Sequence, residues 1–414
     1  MSHAARATCY RAGWLIPAFG PPIRDGVLVC AEGRIARLGP WSRVGKHVSA
    51  EDAVEAYPDA VILPGFVNAH THLSLSDLAG KFRPTANFCG WIGRLAATRL
   101  TRTKGAIRRA VSRGAEASRA AGTVAGADVT TEPEYDEALS TFPARWRVFG
   151  EILKFGDAGM KCVEDRIEVV ERLVEQAGVA PGLAPHAPYT VGVETFVRAR
   201  READRRGWPV GAHLHETLDE IAFTERGEGD LHRWLSRLGF LPRDWRPAGR
   251  RPIRMLADAG FFGGPVLVAH GNYLDDEEIG LLARSGSSVA YCPRSHAFFQ
   301  HRDHTWRRLL DAGVNVCLGT DSLASSPSLS VLDEMRFLQR REPGADPGAL
   351  LEMGTARGAR ALGMGDEVGD LRQGMAASFC VVGPVEGTEE PLAAILAGEG
   401  EVVRTVIAGS RGNA

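Results

Sequence analysis

The chain has 414 residues, of which 44% are hydrophobic, and carries a formal net charge of −2. This composition supplies a large core. The near-neutral charge argues against a nucleic-acid or membrane-surface protein, since both need a concentrated basic surface. The seven cysteines include no Cys-x-x-Cys pair, which argues against a disulfide framework or a thiolate zinc site. Neither a signal peptide nor an apolar run long enough to span a bilayer is found, so we expect a cytoplasmic protein.

The N-terminal segment, residues 1–60, is predicted to form short strands. Apolar runs at 12–16 and 26–30 are two candidates. A turn at Glu32-Gly33 leads from the second run into a return strand at 34–38, which is the pattern of a hairpin with a glycine-containing turn. Helical periodicity is absent from this segment.

Residues 61–367 alternate short apolar runs with longer helical segments. Eight runs are predicted strands, at 62–70, 122–129, 145–152, 181–185, 208–213, 265–270, 287–292 and 314–321. Predicted helices lie between them at 104–121, 162–176, 193–206, 275–285 and 305–312. Alternation of strand and helix predicts parallel units of the α/β class, and eight such units predict a closed (β/α)8 barrel of the TIM type.

Strand patterns return after residue 368, in the apolar runs at 376–382 and 402–408. Because both ends of the chain carry strands, we expect the two ends to pair with each other. The predicted architecture is a small composite β-sandwich domain of residues 1–60 and 368–414, beside a barrel domain of residues 61–367.

The first predicted barrel strand ends in His70-Thr71-His72. Side chains alternate along a strand, so both imidazoles point to one side and provide half of a metal site. Polar residues also follow the other predicted strands, at the end of a barrel where active sites lie. They are His186, His213, His215, Glu216, His270, Arg294, His296, Asp321 and Ser322. Histidines scattered over a surface would not concentrate at strand ends, so this set predicts an active site.

Five sequence motifs follow one another along the predicted strands. They are Pro64-Gly65-Phe66-Val67-Asn68-Ala69-His70-Thr71-His72, Pro185-His186-Ala187-Pro188-Tyr189, His213-Leu214-His215-Glu216-Thr217, Ala269-His270-Gly271 and Gly319-Thr320-Asp321-Ser322-Leu323-Ala324-Ser325. In this order they resemble the metal-dependent amidohydrolase superfamily, in its branch of cytosine-, guanine- and adenosine-type deaminases and chlorohydrolases. The resemblance covers nearly the whole chain. This branch uses one metal and lacks the carboxylated lysine of dinuclear relatives, so Lys154 is interpreted as a structural or surface residue.

The resemblance implies one divalent metal per chain, with the ligands His70, His72, His213 and Asp321. Zinc is the preferred ion, with iron and manganese as alternatives, since histidine and carboxylate suit all three. Alternation along the strand would also allow His215 as a ligand. The family pattern selects His213 instead, because the glutamate that shuttles protons follows it by three residues.

The resemblance also implies the catalytic roles. Glu216 would contact the substrate and deliver a proton to its ring nitrogen. His270 and Asp321 would accept the proton of a metal-activated water, while His186 and Ser322 would contact the substrate. The resulting hydroxide would attack a ring carbon that bears an amino group, and ammonia would leave.

Substrate choice is expected to depend on loop residues. Phe88 and Trp91 are interpreted either as an apolar wall of the pocket or as helix core. Many nucleoside-type relatives carry a glutamate before this tryptophan, where this chain has Gly90, which argues against recognition of the S-adenosylhomocysteine or methylthioadenosine type. Arg294 and His296 resemble a subgroup often assigned to aminodeoxyfutalosine deamination and would receive the carboxylate of that substrate. Alternatively, Arg294 braces its own loop.

The predicted function is metal-dependent hydrolytic deamination of an amino-substituted purine or nucleoside-like heterocycle, with aminodeoxyfutalosine as one candidate. The alternative on the same fold is hydrolysis of another C–N or C–Cl bond, as in a cyclic amidohydrolase or a chlorohydrolase. An alternative of another class is a catalytically dead barrel that acts as a binding or scaffold protein, against which the intact set of site residues argues. The expected partner is a small heterocyclic substrate, and a homodimer is left open.

Overall fold

The computed structural model describes residues 7–132, 144–154 and 156–408, together with Leu139. Within these residues the strands form two sheets, one of six strands and one of eight. Among the helices of the described residues, none is both long and apolar enough to cross a membrane.

Strands and helices alternate through the middle of the chain. The strands are β1 (Thr8–Leu15), β2 (Ile23–Ala31), β3 (Arg34–Pro40), β4 (Ala53–Pro64), β5 (Phe66–Thr71), β6 (Thr123–Thr130), β7 (Arg145–Ile152), β8 (Ala180–Pro185), β9 (Val210–Leu214), β10 (Val266–His270), β11 (Ser288–Tyr291), β12 (Asn315–Leu318), β13 (Phe379–Gly383) and β14 (Glu401–Val406). The helices of the described residues are α1 (Trp41–Val44), α2 (Phe88–Leu100), α3 (Lys104–Ala120), α4 (Gly156–Ala177), α5 (Val193–Arg206), α6 (Leu218–Arg226), α7 (Gly229–Arg237), α8 (Pro252–Asp258), α9 (Asp276–Ser285), α10 (Pro293–Phe298), α11 (Trp306–Asp311), α12 (Val331–Arg341), α13 (Pro347–Gly354), α14 (Ala356–Ala361) and α15 (Pro391–Ala397).

The eight-stranded sheet closes into a parallel barrel. Strands β5 to β12 pair side by side in chain order, and the last strand returns to the first through a parallel bridge between Thr71 and Asp321. The Thr320 backbone N–H donates to the His70 carbonyl at 3.0 Å, and Asn68 Nδ2 donates to Thr320 Oγ1 at 2.8 Å. The predicted (β/α)8 barrel is therefore confirmed.

The first predicted barrel strand, 62–70, is two strands in the structure, so the prediction of one continuous strand is wrong. β4 ends before Gly65 and belongs to the six-stranded sheet, whereas β5 begins after Gly65 and opens the barrel. A Cβ at Gly65 would overlap the Val124 side chain of β6, so the glycine allows the two sheets to meet. The sequence pattern hides this break because the residues on both sides of it are apolar and buried.

The six-stranded sheet joins the two ends of the chain in the order β14-β13-β4-β1-β2-β3. It curls back on itself, because Ile35 of β3 bonds to the segment that leads into β13. The Ile35 N–H donates to the Met375 carbonyl at 2.9 Å, and the Ile35 carbonyl accepts from the Gly374 N–H at 2.8 Å. The enclosed face buries Leu28, Ile35 and Phe379 completely. The predicted pairing of the N- and C-terminal segments in one small β-unit is confirmed.

Gly65→Ala is expected to lower the free energy of unfolding by about 1–3 kcal/mol, because the added methyl group overpacks the contact with Val124. Urea denaturation followed by circular dichroism measures this change. Gly344→Ala is the matched control, since a Cβ at Gly344 meets no heavy atom within 4 Å. Equal stability of the Gly65→Ala variant and the wild type would contradict the packing argument.

Candidate active site

Three histidines converge at the carboxyl end of the barrel. His70 lies on β5, His72 follows it directly, and His213 lies on β9. One ring nitrogen from each lies within 4.8 Å of the others, and His213 Nε2 is 3.3 Å from His72 Nε2. His72 Nδ1 lies 2.8 Å from the Val129 carbonyl oxygen. This contact orients the ring, so that its Nε2 faces the other two histidines.

Asp321 joins this group from the segment that follows β12, the last strand of the barrel. Its Oδ1 lies 3.8 Å from His72 Nε2, and its Oδ2 accepts hydrogen bonds from Ser295 Oγ at 2.6 Å and Ser325 Oγ at 2.7 Å. Burial disfavours the ionised carboxylate, but the neighbouring His270, His72 and His70, together with the hydrogen bond from Ser295, outweigh burial and lower the pKa of Asp321 to about 2. Asp321 is therefore an ionised, oriented carboxylate.

The chemistry of this group fits a divalent metal ion. His70 Nε2 is buried and has no hydrogen-bond partner among the described residues, which leaves its lone pair for a ligand. Burial and the neighbouring imidazoles lower the pKa values of His70 and His213 well below the usual range. Both rings are therefore neutral, the form that binds a metal. Neutral imidazoles beside an ionised carboxylate are a donor set for a divalent ion.

Contacts to both its backbone and its side chain hold Glu216. The fully buried Glu220 accepts the His215 N–H at 3.0 Å and the Glu216 N–H at 2.9 Å, one with each carboxylate oxygen. Asn272 Nδ2 donates to the Glu216 carbonyl at 2.9 Å, and the Tyr189 hydroxyl donates to Glu216 Oε2 at 3.3 Å. The three contacts made by Glu216 itself hold its carboxyl group in a defined place.

Burial sets the protonation states of Glu216 and His270. Together with the negative charges of Asp321 and Glu220, it raises the pKa of Glu216 well above its usual value. It also lowers the pKa of His270 to about 4. His270 Nε2 lies 3.7 Å from Glu216 Oε1. A protonated carboxyl group and a neutral imidazole therefore face each other near neutral pH.

His215 lies outside the histidine group, although strand alternation allows it as a ligand. β9 ends one residue earlier, and His215 has a left-handed backbone with φ 56°, so the alternation of side chains stops there. The His215 ring is fully buried, with Nε2 at 3.1 Å from Glu278 Oε1. The structure thus brings His213, rather than His215, together with His70 and His72.

A cavity of about 560 Å³ opens beside these groups. The predicted substrate-binding residues that line it are Phe88, Trp91, His186, Glu216 and Ser322. Phe88 and Trp91 also pack in a buried aromatic cluster, with ring centroids 5.9 Å apart. The two interpretations of these residues, pocket wall and helix core, therefore both apply.

Arg294 and His296 are not among the described residues that line the cavity. The Arg294 guanidinium donates to Glu334 Oε1 at 2.7 Å and to the Ser328 carbonyl at 2.9 Å, so this side chain braces its loop. His296 is buried, with its ring centroid 5.7 Å from that of Tyr291. The structure does not support the predicted substrate contacts of these two residues, because protein groups surround both side chains.

Other cavity residues were not found from the sequence. Glu151 and Lys154 line the cavity near the end of β7, although Lys154 was interpreted as structural or surface. Trp234 and Phe240 line it from α7 and the loop that follows. The strand-end rule that found the histidines also points to Glu151. No motif marks Trp234 or Phe240, which lie in a helical segment and its loop.

A closed β/α barrel with histidines and an aspartate at its strand ends defines a metal-dependent hydrolase. The sequence pattern of the Amidohydrolase family matches residues 61–411, and the chain belongs to this family. The predicted family and the predicted class of enzyme, a hydrolase acting on C–N bonds, are therefore confirmed. The histidine group and the family together support the predicted divalent metal.

The chain is similar along most of its length to proteins named as deaminases. A 5-methylthioadenosine/S-adenosylhomocysteine deaminase from Syntrophobacter fumaroxidans is 30% identical over 386 residues, which cover 86% of this chain and 80% of that protein. An aminodeoxyfutalosine deaminase from Deinococcus radiodurans is 30% identical over 324 residues, 75% of each chain. The crystal structure of an adenosine deaminase from Xanthomonas campestris with bound zinc has a TM-score of 0.83 at 24% identity, over 97% of this chain and 92% of that one. This last similarity confirms the fold.

His70→Ala is expected to weaken divalent-metal binding, because it removes a buried nitrogen that has no other partner among the described residues. The loss should exceed the roughly 10- to 100-fold that is typical when a residue is removed that only hydrogen-bonds to a metal ligand. Metal content after dialysis in a zinc buffer, measured by elemental analysis, tests this. The exposed His47 supplies the control variant, His47→Ala. Unchanged metal content in His70→Ala would remove His70 from the proposed metal site.

Glu220→Gln is expected to change the free energy of unfolding by less than about 1 kcal/mol below pH 4.5, because the protonated carboxyl group and the amide each offer one carbonyl oxygen to the two buried N–H groups. Burial raises the pKa of Glu220 from 4.5 to about 7 in the folded state. The contribution of Glu220 is therefore complete below pH 4.5 and is lost as the pH rises through 7. Urea denaturation should therefore show the wild type losing stability relative to the variant as the pH rises over this range.

Glu225→Gln, on the same helix but at the surface, is the control for this pH dependence. A stability difference between wild type and Glu220→Gln that stays constant from pH 4.5 to pH 8 would contradict the raised pKa of Glu220.

Proposed function

We propose that this protein is a metal-dependent hydrolytic deaminase of an amino-substituted purine nucleoside or a related heterocycle. The observation that carries this proposal is the protonated Glu216 beside the neutral His270, next to the histidine group. Deamination of such a ring needs a proton donor for the ring nitrogen and an acceptor for the proton of the attacking water. The names of the two relatives, which are deaminases of adenine-bearing compounds, support the same reaction.

In the proposed mechanism, the amino-bearing carbon of the ring lies between Asp321 and Glu216. When bound, the metal ion supplies Lewis-acid chemistry that makes water a usable nucleophile near neutral pH. His270, which is neutral, accepts a proton from the attacking water, and the ionised Asp321 orients that water. Glu216 donates its proton to the adjacent ring nitrogen while the Tyr189 hydroxyl holds the carboxyl group. Glu216 then carries a proton from the new hydroxyl group to the amino group, which leaves as ammonia, and the proton held by His270 returns to Glu216, whose Oε1 is 3.7 Å from His270 Nε2.

One ion per chain is proposed to bind to His70, His72, His213 and Asp321. Zinc is the proposed ion, because histidine-rich sites with an open position are typical of catalytic zinc. Iron and manganese accept the same donors and are the alternatives.

The substrate is proposed to extend beyond the purine ring. The cavity has a volume of about 560 Å³ and an aromatic wall that includes Phe88, Trp91 and Trp234, which suits an apolar or aromatic substituent. Aminodeoxyfutalosine stays a candidate for this reason. Its carboxylate would meet Lys154, which lines the cavity, in place of Arg294, which does not.

Two further proposals concern the division of the chain into domains and the location of the protein in the cell. A composite domain of residues 1–60 and 368–414 beside a barrel of residues 61–367 is supported by the separate hydrophobic cluster inside the curled sheet. The change of sheet at Gly65 favours a boundary slightly later than residue 61. A cytoplasmic location is proposed from the composition, and a homodimer is a further proposal that oligomeric-state measurements would test.

Metal-loaded protein should release ammonia from at least one member of a panel of adenosine, 5′-deoxyadenosine, methylthioadenosine, S-adenosylhomocysteine and aminodeoxyfutalosine. Glu216→Gln should lower kcat for that substrate at least about 100-fold, because general acid–base transfer contributes about 10²- to 10⁴-fold. The amide cannot give and take the proton, although its shape is the same. A coupled assay for ammonia measures both results.

The exposed Glu228 supplies the control variant, Glu228→Gln, which should keep full activity. Chloride released from a chloro-triazine, or opening of a cyclic amide, without ammonia from the panel would replace deamination by the alternative hydrolysis. A protein that binds metal and hydrolyses none of these compounds would favour the scaffold alternative.

A further inference from the structure

His270, the proposed acceptor for the proton of the attacking water, has a strained backbone. Its φ is 71°, and the Gly271 N–H donates to the Ala269 carbonyl at 3.1 Å. The positive φ together with this hydrogen bond places His270 at the centre of a γ-turn of the rare, strained kind. Such a conformation persists only where the surrounding structure holds it. The contacts of this turn therefore bear on the position of a proposed catalytic group.

The His270 ring depends on this backbone for its direction. Among the described residues, no hydrogen bond reaches either of its ring nitrogens, and its Nε2 lies 3.7 Å from Glu216 Oε1. A histidine in a functional site is commonly oriented by a hydrogen bond to its second ring nitrogen. Because the described part of the chain supplies no such bond, the direction of the ring follows from the backbone of the turn and from packing.

His304, in the loop between α10 and α11, contacts the turn through its side chain. His304 Nε2 lies 2.9 Å from the His270 carbonyl oxygen. A carbonyl oxygen can only accept, so the imidazole donates and its Nε2 carries the proton. His304 Nδ1 is buried and has no hydrogen-bond partner among the described residues. Within this part of the chain, the bond to His270 is therefore the hydrogen bond that the His304 ring makes.

Aromatic packing holds the His304 ring in place for this bond. The ring stacks on the buried Tyr291, with centroids 3.7 Å apart and an angle of 13° between the planes. The His296 ring stands edge-on to it, with centroids 5.8 Å apart. Tyr291 ends β11, which pairs with β10, the strand that ends at His270. His304 thus presents a fixed donor across two neighbouring strand ends.

We propose that His304 is a positioning residue of the deamination, whose imidazole N–H holds the backbone of His270 in the γ-turn and so directs the His270 ring at the attacking water. This inference rests on the proposed function and adds to it a residue that does not touch the substrate. The His270 ring lies close to the histidine group, with its centroid 5.4 Å from that of His70. A misplacement of about 1 Å in such a site can lower the rate about 100-fold.

A metal ion bound by three histidines is the competing interpretation of this place. His296 Nε2, His301 Nε2 and His304 Nδ1 are all buried without a partner among the described residues. A single zinc ion would bring its ligand nitrogens to within about 4 Å of one another. These three residues are not among the groups of the described chain whose ligand atoms lie within 4.8 Å of one another. The hydrogen bond to His270 is therefore the favoured role of His304.

Two substitutions of His304 separate its hydrogen bond from its packing. His304→Phe keeps an aromatic ring on Tyr291 but has no donor, whereas His304→Gln loses the ring but keeps an N–H that can reach the His270 carbonyl. In His304→Phe, kcat for ammonia release should fall about tenfold to a hundredfold. KM should stay within about threefold, because His270 acts in the transition state and not in binding. In His304→Gln, kcat should stay within about threefold of the wild type.

The ammonia assay uses the metal-loaded full chain and the panel compound with the fastest turnover. Arg302→Gln is the matched control, because Arg302 lies exposed in the same loop, and its kcat and KM should stay unchanged. Bound metal, measured by elemental analysis, should be one equivalent in the wild type and in both His304 variants. A crystal structure of His304→Phe should show His270 outside the γ-turn, with its Nε2 farther than 3.7 Å from Glu216 Oε1.

Several results would overturn the inference. Wild-type kcat in His304→Phe, or an unchanged γ-turn in its crystal structure, would show that the turn does not need the donor. A His304→Gln protein that is unfolded, or as slow as His304→Phe, would assign His304 a packing role. Loss of a second metal equivalent in His304→Phe would assign the place to an ion.

Failure of the deaminase proposal is distinguishable from failure of this inference. Ammonia from none of the panel compounds with the wild type would remove the deaminase proposal. The crystal structure of His304→Phe would then still decide whether His304 holds the turn at His270, since that observation needs no substrate.

Discussion

Closure of the barrel between β5 and β12 is the constraint on which the site depends. The Thr71 hydroxyl donates to the Asp321 carbonyl at 3.0 Å across a sequence separation of 250 residues. The Asn68 side chain joins the same two parts of the barrel with both atoms of its amide. Its Nδ2 donates to Thr320 Oγ1, and its Oδ1 accepts from the Thr320 N–H at 3.1 Å. Gly319 permits the close approach, since a Cβ there would lie 2.8 Å from the His70 Cβ. The asparagine of the first motif therefore closes the barrel, and closure brings the aspartate to the histidines.

Buried charge beneath the cavity is the second structural requirement of the site. Glu220 spans the turn at the end of β9 and holds the backbone of Glu216. His215 and Arg251 contact Glu278 at 3.1 Å and 2.9 Å, so this second buried carboxylate is paired. Each of these groups loses hydration on folding and is compensated only by its partners. The geometry of Glu216 thus depends on residues that never meet the substrate.

The burial that disfavours charge in this site also prepares it for proton transfer. In water, a glutamate is ionised and a histidine is partly protonated near neutral pH. In the cavity wall, burial raises the pKa of Glu216, so that its carboxyl group is protonated. Burial also lowers the pKa of His270, so that its imidazole is neutral. A donor and an acceptor of protons are therefore available together, without a charge on either.

Much of the fold and the histidine group could be predicted from the sequence, because strand length, apolar runs and alternation are local properties. The eight predicted barrel strands occur in the structure, although the first one divides at Gly65. The three converging histidines and Asp321 were singled out by their places at strand ends, and their role as metal ligands stays a prediction. Substrate contacts were predicted less well. Arg294 forms an ion pair with Glu334 instead of lining the cavity, and no local pattern shows which partner an arginine finds.

The sequence by itself determined the class of fold, the family, and the gathering of His70, His72, His213 and Asp321 at one end of the barrel. Those features depend on residue order and on a spacing of two along strands. The tertiary structure supplies the physical reason why His213, and not His215, joins His70 and His72, since a single left-handed residue ends the alternation. It also decided that Glu151 and Phe240 share a cavity, because separate segments of the chain meet there. The protonation states of Glu216 and His270 follow from burial, which no stretch of sequence determines alone.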